Sequence, residues 1–123
     1  MLWHKTVGDG PSLVLLHGWA FNSDIFQSLI DKYKANYRIT VIDLPGHGLS
    51  GDISDKAALA DWADVIKTTL ANLGATSINC VSGDQISALL ALAIAKTIGA
   101  ECVCATNAHI PVDGDNWQQY AEL

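Results

Sequence analysis

Three short segments gather the side chains able to do chemistry. They are Leu16-His17-Gly18-Trp19, Asp43-Leu44-Pro45-Gly46-His47-Gly48-Leu49-Ser50 and Gly83-Asp84-Gln85-Ile86-Ser87-Ala88. Histidine and aspartate supply acid–base chemistry, and each also has a plainer use. His47 lies between Gly46 and Gly48, two glycines suited to special backbone angles, and its simpler role is loop structure. Asp43 could serve as an acid, but an aspartate that opens a turn is also a cap for it. Asp84 reads as a solvated charge or one placed at a helix start, where the helix dipole favours an anion. His109 is the one histidine late in the chain. A base role for it requires a nucleophile to pair with, and none is evident. Cys80, Cys102 and Cys104 raise a thiolate metal site, since residues 102 and 104 share one face of a strand. Such a site takes about four ligands, and no C-x-x-C occurs. The cysteines therefore read as small buried hydrophobes, and neither a metal nor a cofactor is expected.

These residues need a frame, and the hydrophobic pattern supplies one. Leu13-Val14-Leu15-Leu16 ends in His17-Gly18, and Arg38-Ile39-Thr40-Val41-Ile42 ends in Asp43. Ile78-Asn79-Cys80-Val81 runs into Ser82-Gly83, and Cys102-Val103-Cys104-Ala105-Thr106 into Asn107. Continuous apolar runs of this length are strands of a parallel sheet covered on both faces. Trp3 to Val7 reads as an additional strand entering through the turn Gly8-Asp9-Gly10-Pro11. Between the runs, Ser23 is placed to cap one helix and Ser54 a second, with Leu59, Trp62, Ile66, Leu70 and Leu73 as the second's inner face. A third runs from about Gln85 to Ile98, with Gly99 after it, and is apolar around its girth, as a central buried helix is. The order predicts an α/β fold, a three-layer doubly wound and mostly parallel sheet in one domain over residues 1–123. Ligands of such sheets sit at the carboxyl ends of the strands, where all three segments fall.

Composition narrows the partners. The chain has 123 residues, half of them hydrophobic, and a net charge of −6. That is too hydrophobic for intrinsic disorder. Without a Lys or Arg run, neither nucleic acid nor an anionic membrane is an expected partner. The longest apolar run, Ala88 to Ala95, is too short to span a bilayer. Three cysteines with no framework spacing and no signal-peptide pattern point to a cytoplasmic protein.

Taken together, LVLLHGW at 13–19, VIDLPGHGLS at 41–50 and the strand-to-helix turn at 83–88 resemble the α/β-hydrolase superfamily, over residues 3 to about 111. Within it the first two stretches look most like the carboxylesterases that cleave pimeloyl-acyl-carrier-protein methyl ester in biotin synthesis. The resemblance implies the N-terminal portion of an α/β-hydrolase fold, acyl transfer by a Ser-Asp-His triad, and a nucleophile on a G-x-S-x-G elbow. It implies two backbone oxyanion donors, here the N–H groups of Trp19 and Ile86, and a cleft lined by His17, Gly18, Gly83 and His109. His17 would line the oxyanion loop or simply bond nearby backbone and hold its shape. Trp19 would wall an acyl pocket or simply pack.

Two departures qualify the resemblance. The nucleophile position is Gln85, and a carboxamide is not a nucleophile for covalent catalysis. Placing Ser82 there instead would put Asp84 and Gln85 where the turn needs small residues, so Gln85 takes the tip and Ser82 stays in the strand. In the family, the acid and the catalytic histidine follow much later, on strands expected beyond Leu123. Residues 110–123 would open the lid segment. The expectation is an esterase-like protein, catalytically impaired. The alternatives are a pseudo-enzyme that binds a small ester, acyl or carboxylate ligand, or an interaction protein. A homodimer through the open edge of the Cys102–Thr106 strand is also expected.

Overall fold

A computed structural model describes residues 2–54, 56–74 and 77–108. His109 and the segment 110–123 lie outside them. The five strands among the described residues are β1 (His4–Val7), β2 (Ser12–Leu16), β3 (Arg38–Ile42), β4 (Cys80–Asp84) and β5 (Cys102–Thr106), in sheet order β1-β3-β2-β4-β5. β1 runs antiparallel to β3, and every other pairing is parallel. The helices are α1 (Gln27–Tyr33), α2 (Leu59–Asn72) and α3 (Ile86–Ile98).

Strand alternation sorts the sheet into two faces. Val14, Leu16, Ile42 and Val81 pack with Ile66 and Leu70 of α2 and Leu90, Ala91 and Ile94 of α3. Leu15, Ile39 and Val41 point the other way and pack against Ile30 of α1. The result is the three-layer α/β sandwich. Among the described residues no helix is long and apolar enough to cross a membrane.

Several local expectations are corrected. Asn22, not Ser23, caps the first helical segment, its Oδ1 accepting the Asp24 N–H at 2.9 Å. That segment starts as a 3-10 turn, Ser23–Phe26, before α1. Ser54 accepts the Lys56 N–H at its Oγ and the Ala57 N–H at its carbonyl, a turn ahead of the helix, and α2 starts at Leu59, where Asp61 accepts the Ala58 N–H at 2.8 Å. β4 lies later than the apolar run suggests and includes Ser82, Gly83 and Asp84. α3 is not buried all round: Leu92 is 43% exposed and Ile98 36%. It lies over β4 and β5, the last two strands of the sheet order among the described residues, which leaves these two side chains partly uncovered. The cysteines are not buried either. Cys102 and Cys104 are exposed and Cys80 is half-buried. Val81 faces α2 and α3, so Cys80 and its partners on β5 face the α1 side, and the α1 cluster includes no residue of β4 or β5.

Candidate functional site

All three segments meet at the carboxyl ends of the parallel strands. At the end of β4 the chain reverses sharply into α3. Gln85 forms the tip with φ 54° and ψ −120°, a region that costs a non-glycine residue on the order of 1–3 kcal/mol. Hydrogen bonds on both sides of the turn hold it there. The Gln85 N–H donates to Thr106 O at 3.0 Å. The buried Ser87 Oγ accepts the Asp84 N–H at 2.9 Å and faces the carbonyl oxygens of Leu16 at 3.1 Å and Asp84 at 2.9 Å. Gly83 is obligatory because a Cβ there would collide with Ser87 O. Ser82 lies inside β4, away from the tip.

The Gln85 carboxamide turns toward the first loop. Its Oε1 accepts the Trp19 N–H at 3.0 Å. Gly18 makes room for this contact, since a Cβ at Gly18 would stand 2.6 Å from the same oxygen. One of the two expected oxyanion donors is thus occupied by the side chain at the nucleophile position. Ile86 is the first residue of α3, where helix N–H groups lack intrahelical partners.

The histidines are held by backbone. His17 is fully buried. Its Nε2 accepts the Leu44 N–H at 3.0 Å, so Nδ1 carries the proton and donates to Gly18 O at 2.7 Å. Burial pushes its pKa below the usual 6.5, with the neighbouring His47 adding to the effect, while the Gly18 carbonyl and Asp43 oppose it. His47 accepts the Ala20 N–H at Nε2 (3.2 Å) and donates from Nδ1 to Pro45 O (2.9 Å). Its ring lies 5.2 Å from both His17 and Trp19. Both imidazoles therefore tie the 17–20 loop to the 43–50 loop and have no nitrogen left for a substrate proton. Trp19 remains 59% exposed at the mouth.

Asp43 is likewise consumed. Its Oδ1 accepts the Ser23 N–H at 2.8 Å and its Oδ2 the Leu49 N–H at 2.9 Å, while Ser50 Oγ donates to its carbonyl at 2.6 Å. Asp84 is not simply solvated. Its Oδ1 accepts the Thr106 hydroxyl at 2.7 Å and the Asn107 amide at 2.9 Å. These two donors hold its pKa below the ordinary carboxylate value. The sequence signal for them was the register that sets Asp84 beside Thr106, which no single segment displays. Ser87 was read only as a small residue; its hydrogen bonds leave no local signature.

Comparison with known proteins places this geometry. Residues 11–99 match the family model described as alpha/beta hydrolase fold. The pimeloyl-[acyl-carrier protein] methyl ester esterase of Xanthomonas campestris pv. campestris is 34% identical over 118 residues, which cover 94% of this chain and 44% of that relative. Its namesake from Xanthomonas oryzae pv. oryzae is 47% identical over 53 residues, 43% of this chain and 21% of the relative. The chain spans less than half the length of these relatives. Among solved structures, a thermophilic esterase from Thermogutta terrifontis superposes with a TM-score of 0.78 at 24% identity, covering 91% of this chain and 43% of that one. A haloalkane dehalogenase from Bradyrhizobium elkani superposes with a TM-score of 0.79 at 21% identity, covering 89% and 38%.

Proposed function

This chain belongs to the α/β-hydrolase family, and from that premise we propose that it is an esterase-type core whose elbow does not carry out acyl transfer. One contact supports the reading: Gln85 stands at the tip and its Oε1 accepts the Trp19 N–H at 3.0 Å. A carboxamide forms no acyl-enzyme. Here it also takes the donor that would stabilise a tetrahedral oxyanion. Steady-state hydrolysis of a short-chain aryl ester tests this. The expected rate is background, because loss of a triad removes about a millionfold of turnover. Gln85→Ser should restore little, because both nearby histidines are spent on backbone bonds. Robust turnover by the natural chain, quenched by a serine-directed reagent, overturns the proposal.

The same contact favours a second reading, a binder of a small ester, acyl or carboxylate ligand. A carboxylate oxygen would replace Gln85 Oε1 on Trp19 N–H, beside the start of α3. The similarity to relatives named for a pimeloyl methyl ester makes an acyl chain with a terminal carboxyl or ester the first ligand to try, and biotin synthesis the first process to examine.

A further inference from the structure

We propose that Cys80 and Cys102 form a redox pair, which a hydroperoxide converts to an intramolecular disulfide on the α1 side of the sheet. The two residues are direct partners across the parallel β4–β5 pairing, and their sulfurs are 3.1 Å apart. Neighbouring strands lie about 4.7–4.9 Å apart, inside the Cα window of roughly 4.4–6.8 Å that a disulfide tolerates. A bond of about 2.05 Å needs the sulfurs to approach by about 1 Å. Cys104 shares the face but lies two residues along β5, roughly 6.6 Å from Cys102 and at the far limit of that window. The register therefore selects Cys80 for Cys102.

Exposure assigns the order of events. Cys102 is exposed and Cys80 half-buried. Burial, together with the Cys102 sulfur, pushes the Cys80 thiol up to about 11, so it stays protonated at neutral pH. Cys102, the more exposed of the two, is thus the sulfur that a hydroperoxide reaches first. It takes the terminal oxygen of the hydroperoxide; the O–O bond breaks and the leaving oxygen departs with a proton as water or alcohol. Cys102 is then a sulfenic acid. The Cys80 sulfur attacks the Cys102 sulfur, the S–O bond breaks, and hydroxide leaves with the Cys80 proton as a second molecule, water. Two thiols are oxidised by two electrons and one peroxide is reduced. The bond closes a loop across 22 positions that contains the Gln85 turn and all of α3, so it staples β5 to the strand that leads into the elbow.

The test uses the full chain with hydrogen peroxide, alkylation of remaining thiols, and non-reducing peptide mass spectrometry. Of the three thiols, two should be lost together and return with dithiothreitol, with a Cys80–Cys102 linked peptide and an alkylated Cys104. The oxidised chain should melt higher, by on the order of 10 °C for a loop of this size. Cys104→Ser should pair as the natural chain does, and Cys80→Ser should give no intrachain link. A Cys102–Cys104 link, a chain-to-chain disulfide as the main product, or unpaired oxidation to sulfinic acid overturns the proposal.

Discussion

The two halves of the sheet treat their polar groups differently. On the β2–β3 side, His17, Asp43 and Ser50 are buried, and their side chains bond to backbone. On the β4–β5 side, Gln85, Cys102, Cys104 and Asn107 lie at the surface, and Asp84 is bonded to side chains. The first arrangement builds a rigid wall; the second leaves groups that can change partners. Histidine and aspartate in a glycine-rich loop are therefore poor guides to chemistry here, because the wall needs them for its own backbone.

Removing a wall residue should have the largest effect. Asp43→Ala strands the Ser23 and Leu49 N–H groups, which its two oxygens now accept. An unpartnered buried donor such as the Ser23 N–H costs about 1–3 kcal/mol and the half-buried Leu49 N–H less, so a combined loss of about 3 kcal/mol is expected in urea unfolding. Asn107→Ala, which removes one donor to an exposed-side carboxylate, should stay within about 1 kcal/mol. If the two losses came out equal, the contrast between the halves would collapse.

The middle effect is a pH slope. His17 is neutral in the fold, its pKa lowered by burial. Above 6.5 neither state binds the proton and stability is flat on this account. As pH falls through 6.5 the unfolded chain takes up the proton and the native chain does not, so stability declines until the folded pKa is reached. The slope is at most about 1.4 kcal/mol per pH unit. Urea midpoints across roughly pH 7.5 to 5.5 should fall for the natural chain more than for His17→Gln. Parallel curves would mean that His17 is not the group that titrates.

The wall and the elbow were unequally legible in the amino-acid sequence. β2, β3 and β5 follow largely apolar runs, so the sheet could be read directly. β4 could not, because Ser82-Gly83-Asp84 has the composition of a turn and is strand only through its pairing with Leu15, Leu16, Ala105 and Thr106. The tip at Gln85 was legible from steric need, since Gly83 and Ser87 must be small where the strand folds onto its helix. The bond from Trp19 to Gln85 joins residues 66 positions apart, and only the folded backbone brings them together. Cysteine exposure was misread for a related reason: an apolar strand is buried only if a layer covers each face, and composition does not say that the α1 cluster stops short of β4 and β5.

The smallest expected effect on stability tests the open half. Among the described residues β5 is the last strand, and no residue of Cys102–Thr106 carries a formal charge. Charged side chains, lysine above all, are the usual guard against pairing with a second chain. Val103 is 38% exposed, on the face shared with α3. Two copies related by a two-fold axis would place β5 antiparallel to itself and continue one sheet through both chains. Val103→Lys should change the unfolding free energy of the single chain by no more than about 0.5 kcal/mol, as exposed substitutions usually do. It should nevertheless abolish self-association, because each dimer would bring two added charges to a joint built from backbone hydrogen bonds. Sedimentation at micromolar concentration should show a dimer for the natural chain and a species of 13.1 kDa for the variant. A natural chain that sediments as the single copy would show that the margin is protected without charge. The lysine would then be silent in both measurements, and the difference between the halves would rest on the polar groups alone.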